Sequence, residues 1–220
     1  MADIDLDRAD LQVVVWEADD EEFKDMLREG VDVHAENAKT LGCSRPMAKR
    51  FCHGTNYGGG ARTMAINCGL TVAESERMQS RWFGAHPGIK RWHDRTMDQL
   101  QRNRTVRNAF GFRRFYFDRI EGILPEALAW VPQSTVANVT NLGLSNIFRN
   151  LPEVQLLLQV HDSLVVQYPK RLDPDVRPLI RSQMLVEVPY EDPLVIPVGI
   201  KLSDRSWGDC AEAKWREVAA

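Results

Sequence analysis

The chain has 220 residues, 44% hydrophobic and 27% charged, with a net charge of −3. That length buries a substantial core as one large domain or two modest ones, and the composition excludes a disordered chain. No apolar run reaches the roughly 20 residues of a membrane helix, and the acidic start MADIDLDRAD lacks the apolar segment of a secretory signal, so a cytoplasmic location is expected.

The small total charge hides a segregation along the chain. Residues 1–44 hold 4 basic and 13 acidic side chains, residues 45–119 hold 15 and 5, and residues 120–220 hold 9 and 13. A basic middle between acidic flanks suits a phosphate-rich partner, with the flanks suited to divalent cations. Solvated helix faces give the same counts, so both readings stay open at this point. The four cysteines, Cys43, Cys52, Cys68 and Cys210, form no C-x-x-C pair, and reduced thiols are expected.

In chain order, alternating acids at Asp3, Asp5, Asp7 and Asp10 precede an apolar run from Leu11 to Trp16. Residues Asp20 to Glu29 carry helical apolar spacing at Phe23, Met26 and Leu27, and Gly30 is a plausible stop. Then comes RPMAKRFCHGTNYG, in which Arg45, Lys49, His53 and Tyr57 fall four apart and form one slowly turning helical stripe. Two cations near a helix N-terminus suit a polyphosphate, and the His and Tyr rings further along suit a base or sugar. Gly58, Gly59 and Gly60 end the helix.

Thr71 caps a helix running to Phe83, and Pro87 opens a basic one, with Trp82, Phe83, Ile89, Trp92, Met97 and Leu100 as the buried side. RNAFGFRRFYF reads as strand around Gly111, and a long helix whose course is disturbed near Pro132 follows. VQLLLQVHDSLVVQYP reads as a hairpin exposing His161 and Asp162 at its turn, because an unpartnered acid is costly inside an apolar strand. A helix at Pro174–Leu185 and a strand at Leu194–Ile200 complete the chain.

Three of these segments together resemble the motifs of the family A DNA polymerases, the family of bacterial polymerase I and of many phage enzymes. They are DLDRADLQVVVW, the Arg-x3-Lys-x7-Tyr-Gly stripe and LQVHDSLV, in the family's order, and the resemblance runs from Asp3 to Asp209. HGTNYGGG, PQSTV and LQVHDSLV are similar to phage-type members. The resemblance implies an α/β (α+β) fold, an antiparallel-sheet palm with a mostly helical fingers subdomain inserted. Residues 1–19 and 116–220 correspond to palm and 20–115 to fingers.

It also implies roles. Asp5, the Leu6 carbonyl and Asp162 correspond to metal ligands for two Mg²⁺ ions, replaceable by Mn²⁺. Asp5, Asp162 and Lys49 are then catalytic. Arg45, Lys49 and His34 lie at the nucleotide's phosphates, His53 lies against its sugar and base, and Tyr57 backs the templating position. Asp10 stands where the family has a glutamate that blocks a ribose 2′-hydroxyl, and Ser163 replaces a less critical glutamate. Gln133 and His161 touch DNA, while Pro125 and Ala129 replace an arginine and an asparagine of the usual grip. The implied partners are a primed DNA template and dNTPs.

Family members carry a thumb, and usually an exonuclease domain, before the first acid motif, where this chain has four residues. Weak, distributive synthesis is therefore expected unless a separate polypeptide supplies the thumb. Rival readings are a split-gene or non-catalytic fragment, a single-subunit RNA polymerase and, more remotely, a metal-dependent nuclease.

Overall fold

The computed structural model describes residues 1–215. These divide into two compact units, one made of residues 1–9 with residues from 134 onward, the other of residues 10–133. The borders differ from the 19/20 and 115/116 boundaries that the motifs place between palm and fingers. Compactness and functional subdivision need not share borders.

The first unit is built on an antiparallel sheet. Its central strand, β1 (Ala2–Leu6), alternates strictly: Ala2, Ile4 and Leu6 are buried, and Asp3 and Asp5 face the other way. The sheet order is β4 (Gln155–Val160), β5 (Ser163–Gln167), β1, β8 (Val198–Leu202) and β9 (Ala211–Ala213). Leu164, Val165 and Val166 of β5 are fully buried, so this neighbour of β1 is a core strand. The helix α9 (Asp173–Met184) and a short pair, β6 (Glu187–Val188) with β7 (Leu194–Val195), belong to the same unit. The expected single strand at Leu194–Ile200 is thus split. Pro197 has no N–H for a ladder, and its carbonyl instead accepts the Asp7 N–H at 2.8 Å.

The second unit is helical. It contains α1 (Ala9–Ala18, from Asp10), α2 (Glu21–Arg28), α3 (Val33–Leu41), α4 (Arg45–Asn56), α5 (Ala61–Cys68), α6 (Val72–Ala85) and α7 (Pro87–Asn103). A two-stranded ribbon follows, β2 (Thr105–Arg107) with β3 (Arg113–Phe115). The helix starts follow their capping residues. The Asp20 carboxylate accepts the Phe23 N–H at 3.2 Å, and Thr71 with Glu74 forms a reciprocal capping box. Trp82, Ile89, Trp92 and Leu100 are buried as expected, whereas Phe83 and Met97 lie half-buried at the rim. Phe23, Trp82 and His86 form an aromatic knot with centroid distances of 4.3–6.1 Å.

The helix α8 (Leu124–Asn150) runs unbroken through Pro132, and the division between units falls within it after Gln133. The disturbance expected at Pro132 amounts to the loss of one N–H donor, not a break. No helix among the described residues is long and apolar enough to cross a membrane. The four cysteines are free thiols.

Two glycines test the packing of the helical unit. A Cβ at Gly88 would lie 2.4 Å from the Ala18 carbonyl oxygen, whereas at Gly84 it would meet nothing within 4 Å. Gly88→Ala therefore forces backbone apart, and urea unfolding is expected to show a loss of about 1–3 kcal/mol. Gly84→Ala, inside α6, is expected to gain about 0.5–1 kcal/mol.

Candidate functional site

The acids of the sheet unit are assembled by strand pairing. In the β1–β5 ladder Asp5 stands opposite Ser163, and the Leu6 N–H donates to the Asp162 carbonyl at 3.2 Å. Asp162 thus follows from the β4–β5 turn as the neighbour of Asp5, with His161 before it at φ +53°. A positive φ is uncommon for a non-glycine residue, and here the tight reversal between Val160 and Ser163 imposes it. The Ser163 hydroxyl donates to the Val160 carbonyl at 3.1 Å and so braces the turn.

Electrostatics mark the same spot. Partial burial first, then the Asp162 carboxylate, hold Asp5 above its ordinary value; Lys201 pulls it down, and Asp3 and Asp7 add smaller upward pushes. Asp5, Asp7, Lys201 and Glu212 line a cleft of about 340 Å³ on this sheet. Crowded carboxylates in partly dry surroundings concentrate negative potential, which a cation relieves. The donors are all oxygens, two carboxylates and the backbone at Leu6, whose side chain is buried; that set fits a hard divalent ion. Among the described residues no three Asp, Glu, His or Cys side chains converge on one ion. The rest of a coordination shell falls to backbone, water or a phosphate-bearing ligand.

The helical unit holds the cations. Along α4, Arg45, Lys49 and His53 are exposed, and Tyr57 caps the C-terminal end. Ser44 at the N-cap makes no side-chain capping bond, so the positive end of the helix is not neutralised by a cap. Lys49 has no ion-pair partner among the described residues, while Arg45 Nε donates to Asp32 Oδ2 at 2.7 Å. The other oxygen of Asp32 caps α3, accepting the His34 and Ala35 N–H groups at 3.2 Å each. One carboxylate therefore links the Arg45 guanidinium to the backbone of His34.

The far end of α4 is clamped from several sides. The Tyr57 hydroxyl donates to Asp10 Oδ2 at 2.8 Å, and the His53 ring meets Tyr57 edge-on at 4.6 Å. Burial, followed by the nearby Asp10 carboxylate, pushes the Tyr57 phenol far above its ordinary value and keeps it an O–H donor. Trp82 Nε1 donates to Asn56 Oδ1 at 2.9 Å, and His93 Nε2 lies 2.8 Å from the Asn56 carbonyl. Gly58 takes φ +76°, where a Cβ would come within 3.0 Å of Leu128 and 3.5 Å of Pro125. Pro125 accordingly packs on the glycine turn.

The structure thus groups Asp5, Leu6, His161 and Asp162 in one unit. In the other it groups His34, Arg45, Lys49, His53, Tyr57 and Asp10. Gln133 is exposed on α8, and no hydrogen bond or ion pair among the described residues joins it to the α4 stripe. Sequence reading missed Asp32, Asn56, His93 and Lys201. Asp32 carries a readable signal, an Asx cap before a helix. The other three depend on contacts distant in sequence.

Residues 1–209 match the family described as DNA polymerase family A. The chain is 28% identical over 221 residues to the thermostable DNA polymerase I of Thermus filiformis, covering 92% of this chain and 26% of that protein. It is 29% identical over 218 residues to DNA polymerase I of Chloroflexus aurantiacus, covering 90% and 23%. It shares the fold of the POL domain of Pol1 from M. smegmatis, solved in complex with DNA primer-template and dNTP. That match has a TM-score of 0.80 at 18% identity and covers 90% of this chain and 39% of that one.

The chain belongs to DNA polymerase family A. It spans about a quarter of the length of the curated relatives it matches. Members of the family generally use divalent metal ions.

The clamp on Asn56 carries a pH signature. Burial first, against the bond to the Asn56 carbonyl, holds His93 below its ordinary 6.5. The neutral ring that donates from Nε2 is therefore favoured. An unfolded chain binds the proton more readily, so this contribution is complete above pH 6.5 and is lost as pH falls toward the folded value. His93→Gln, which keeps a donor without the titration, is expected to flatten the fall in stability between pH 7 and pH 5, read by urea unfolding at each pH.

Proposed function

We propose that this chain adds deoxynucleotides to a primer 3′-hydroxyl under the direction of a DNA template. The observation that carries the reading is Asp5 on β1 beside Asp162 in the β4–β5 turn, in a chain that also bears a cationic, aromatic helix. Asp5, Asp162 and the Leu6 carbonyl would hold divalent cations, with Mg²⁺ favoured as a small hard ion and Mn²⁺ able to replace it. Such ions, when bound, activate the attacking hydroxyl and neutralise the leaving pyrophosphate.

The chain's own residues bind and orient the reactants. Arg45, Lys49 and His34 receive the triphosphate, and Lys49 donates a proton to the departing pyrophosphate. His53 lies against sugar and base, and Tyr57, held by Asp10, backs the templating base. Asp10 stands at the ribose 2′ position and favours deoxynucleotides, although it is one methylene shorter than glutamate. Gln133 donates to the minor-groove acceptors shared by all base pairs, and His161 stands beside the primer terminus. In this reading residues 1–19 and 116–220 are palm and 20–115 are fingers.

HGTNYGGG, PQSTV and LQVHDSLV favour a phage-type member acting in replication within a host cytoplasm. Contacts to the duplex behind the primer end, the work of a thumb, are assigned to polypeptide outside these 220 residues. A second reading is that these residues bind DNA without extending it.

Single-nucleotide primer extension with Mg²⁺ separates the readings. Wild-type protein is expected to add the templated dNTP, to discriminate against the matching NTP, and to lose about 10²-fold or more of its rate on Asp162→Ala. Extension unchanged by Asp162→Ala would contradict the site. No extension at high enzyme with Mn²⁺ would favour the second reading, and preferential NTP use would favour an RNA polymerase.

A further inference from the structure

The ribbon that follows α7 exposes more aromatic surface than its fold requires. Its register pairs Thr105 with Phe115 and Arg107 with Arg113, so these four side chains share one face; Val106 and Arg114 lie on the other. The inner face is committed to the body of the unit. Val106 and Tyr116 are buried, and Arg114 pairs with Glu126 while lying 5.0 Å over the Tyr116 ring. The outer face carries Arg107 and Arg113, both exposed and without an ion-pair partner among the described residues. Phe112, Phe115 and Phe117 are 60%, 56% and 91% exposed.

The turn that presents them is rigid. The Asn108 N–H donates to the Phe112 carbonyl and the Asn108 side chain accepts the Phe112 N–H, each at 3.0 Å. Gly111, at φ +83°, donates to the Asn108 carbonyl at 2.9 Å. The Arg104 guanidinium holds the Asp118 carbonyl at 2.6 Å and closes the open end of the ribbon. Single exposed apolar side chains are ordinary. Three phenylalanines within six residues, interleaved with unpaired arginines on a braced ribbon, call for a ligand with flat apolar faces and negative charge.

We propose that the outer face of the β2–β3 ribbon is a platform for single-stranded nucleic acid, with Phe115 and Phe117 stacking on bases and Arg107 and Arg113 meeting phosphates. A duplex hides its base faces, whereas a single strand offers base and phosphate at every step. The +10 net charge of residues 45–119 draws a polyanion to this part of the chain. Because the turn is already ordered, little conformational freedom is lost on binding. The platform goes beyond the polymerase reading and stands without it; in an enzyme that copies a template it would receive unpaired template.

Fluorescence anisotropy with a labelled oligothymidine of about 12 nucleotides, within the 4–16 of known single-strand sites, tests this without divalent cation or dNTP, so that chemistry does not enter. Phe115→Ala and Phe117→Ala are each expected to weaken binding about 5- to 100-fold, the effect of losing one stacked base. Phe115→Leu and Phe117→Leu keep the apolar bulk and are expected not to restore it. Arg113→Ala is expected to reduce the salt dependence of log K by about 0.7. A blunt hairpin duplex is expected to be insensitive to the phenylalanine changes. Circular dichroism checks that the variants fold, as surface changes should.

Wild-type affinity in the Phe115→Ala/Phe117→Ala double variant would overturn the platform, as would full recovery with leucine or equal losses on duplex. Altered self-association with unchanged oligothymidine binding would overturn it in favour of a protein-contact surface. None of these outcomes touches primer extension by the wild type or its loss in Asp162→Ala, so the two readings fail separately.

Discussion

The antiparallel pairing of β1 with β5 is the constraint on which the catalytic reading rests. The alternation of β1 sends Ala2, Ile4 and Leu6 into the core and leaves Asp3, Asp5 and Asp7 on the opposite side. A slip of one residue would exchange the two sets and bury the acids, so the hydrophobic core itself fixes the register. Once that register is set, Asp5 faces Ser163, and Asp162 comes beside it from the turn. Two like charges held together oppose folding. Their proximity is maintained by fully buried Ile4, Leu164, Val165 and Val166, which supply the hydrophobic free energy to offset it. A cation lowers that cost, and this is the physical link between the fold of the sheet unit and its proposed chemistry.

The helical unit holds a helix, α4, whose outward face carries the cations. α4 is fastened at its ends, on its inner side and by exposed Arg50, which donates to the Asn67 carbonyl at 3.4 Å. Ala48, Phe51, Cys52 and Thr55 are buried, Asn56 is gripped by Trp82 and His93, and Tyr57 is tied to Asp10. Arg45, Lys49 and His53 are left exposed, and the proposed function sets them against the nucleotide. The Asp32 carboxylate occupies the Arg45 guanidinium from a neighbouring helix, a half-exposed pair that water and salt weaken and that a triphosphate can displace.

Local signals made much of this legible before any coordinates. Apolar spacing announces α2, the Thr71 cap announces α6, Pro87 announces α7, and spacing by four announces α4, because each of these depends on neighbours close in sequence. The acid hairpin was legible for a similar reason: the cost of burying Asp162 forces it to the turn. What escaped depended on distant partners. The division of Leu194–Ile200 at Pro197 reflects a carbonyl recruited by Asp7, almost two hundred residues away in sequence. Persistence of α8 through Pro132 reflects packing on both sides of it, with Leu128 and Val136 buried. The Asn56 clamp, the Asp32–Arg45 pair and the nearness of Lys201 to Asp5 have no local signature, and neither does the exposure of Phe112, Phe115 and Phe117.

In the proposed function Asp5 and Asp162 together form a cation site. Electron paramagnetic resonance titration of Mn²⁺, with a non-hydrolysable deoxynucleoside triphosphate present, tests it most directly. Wild-type protein should bind Mn²⁺ beyond the amount the nucleotide alone holds, and Asp5→Asn or Asp162→Asn should weaken that binding about tenfold or more. Equal Mn²⁺ binding in wild type and in either variant would contradict the account.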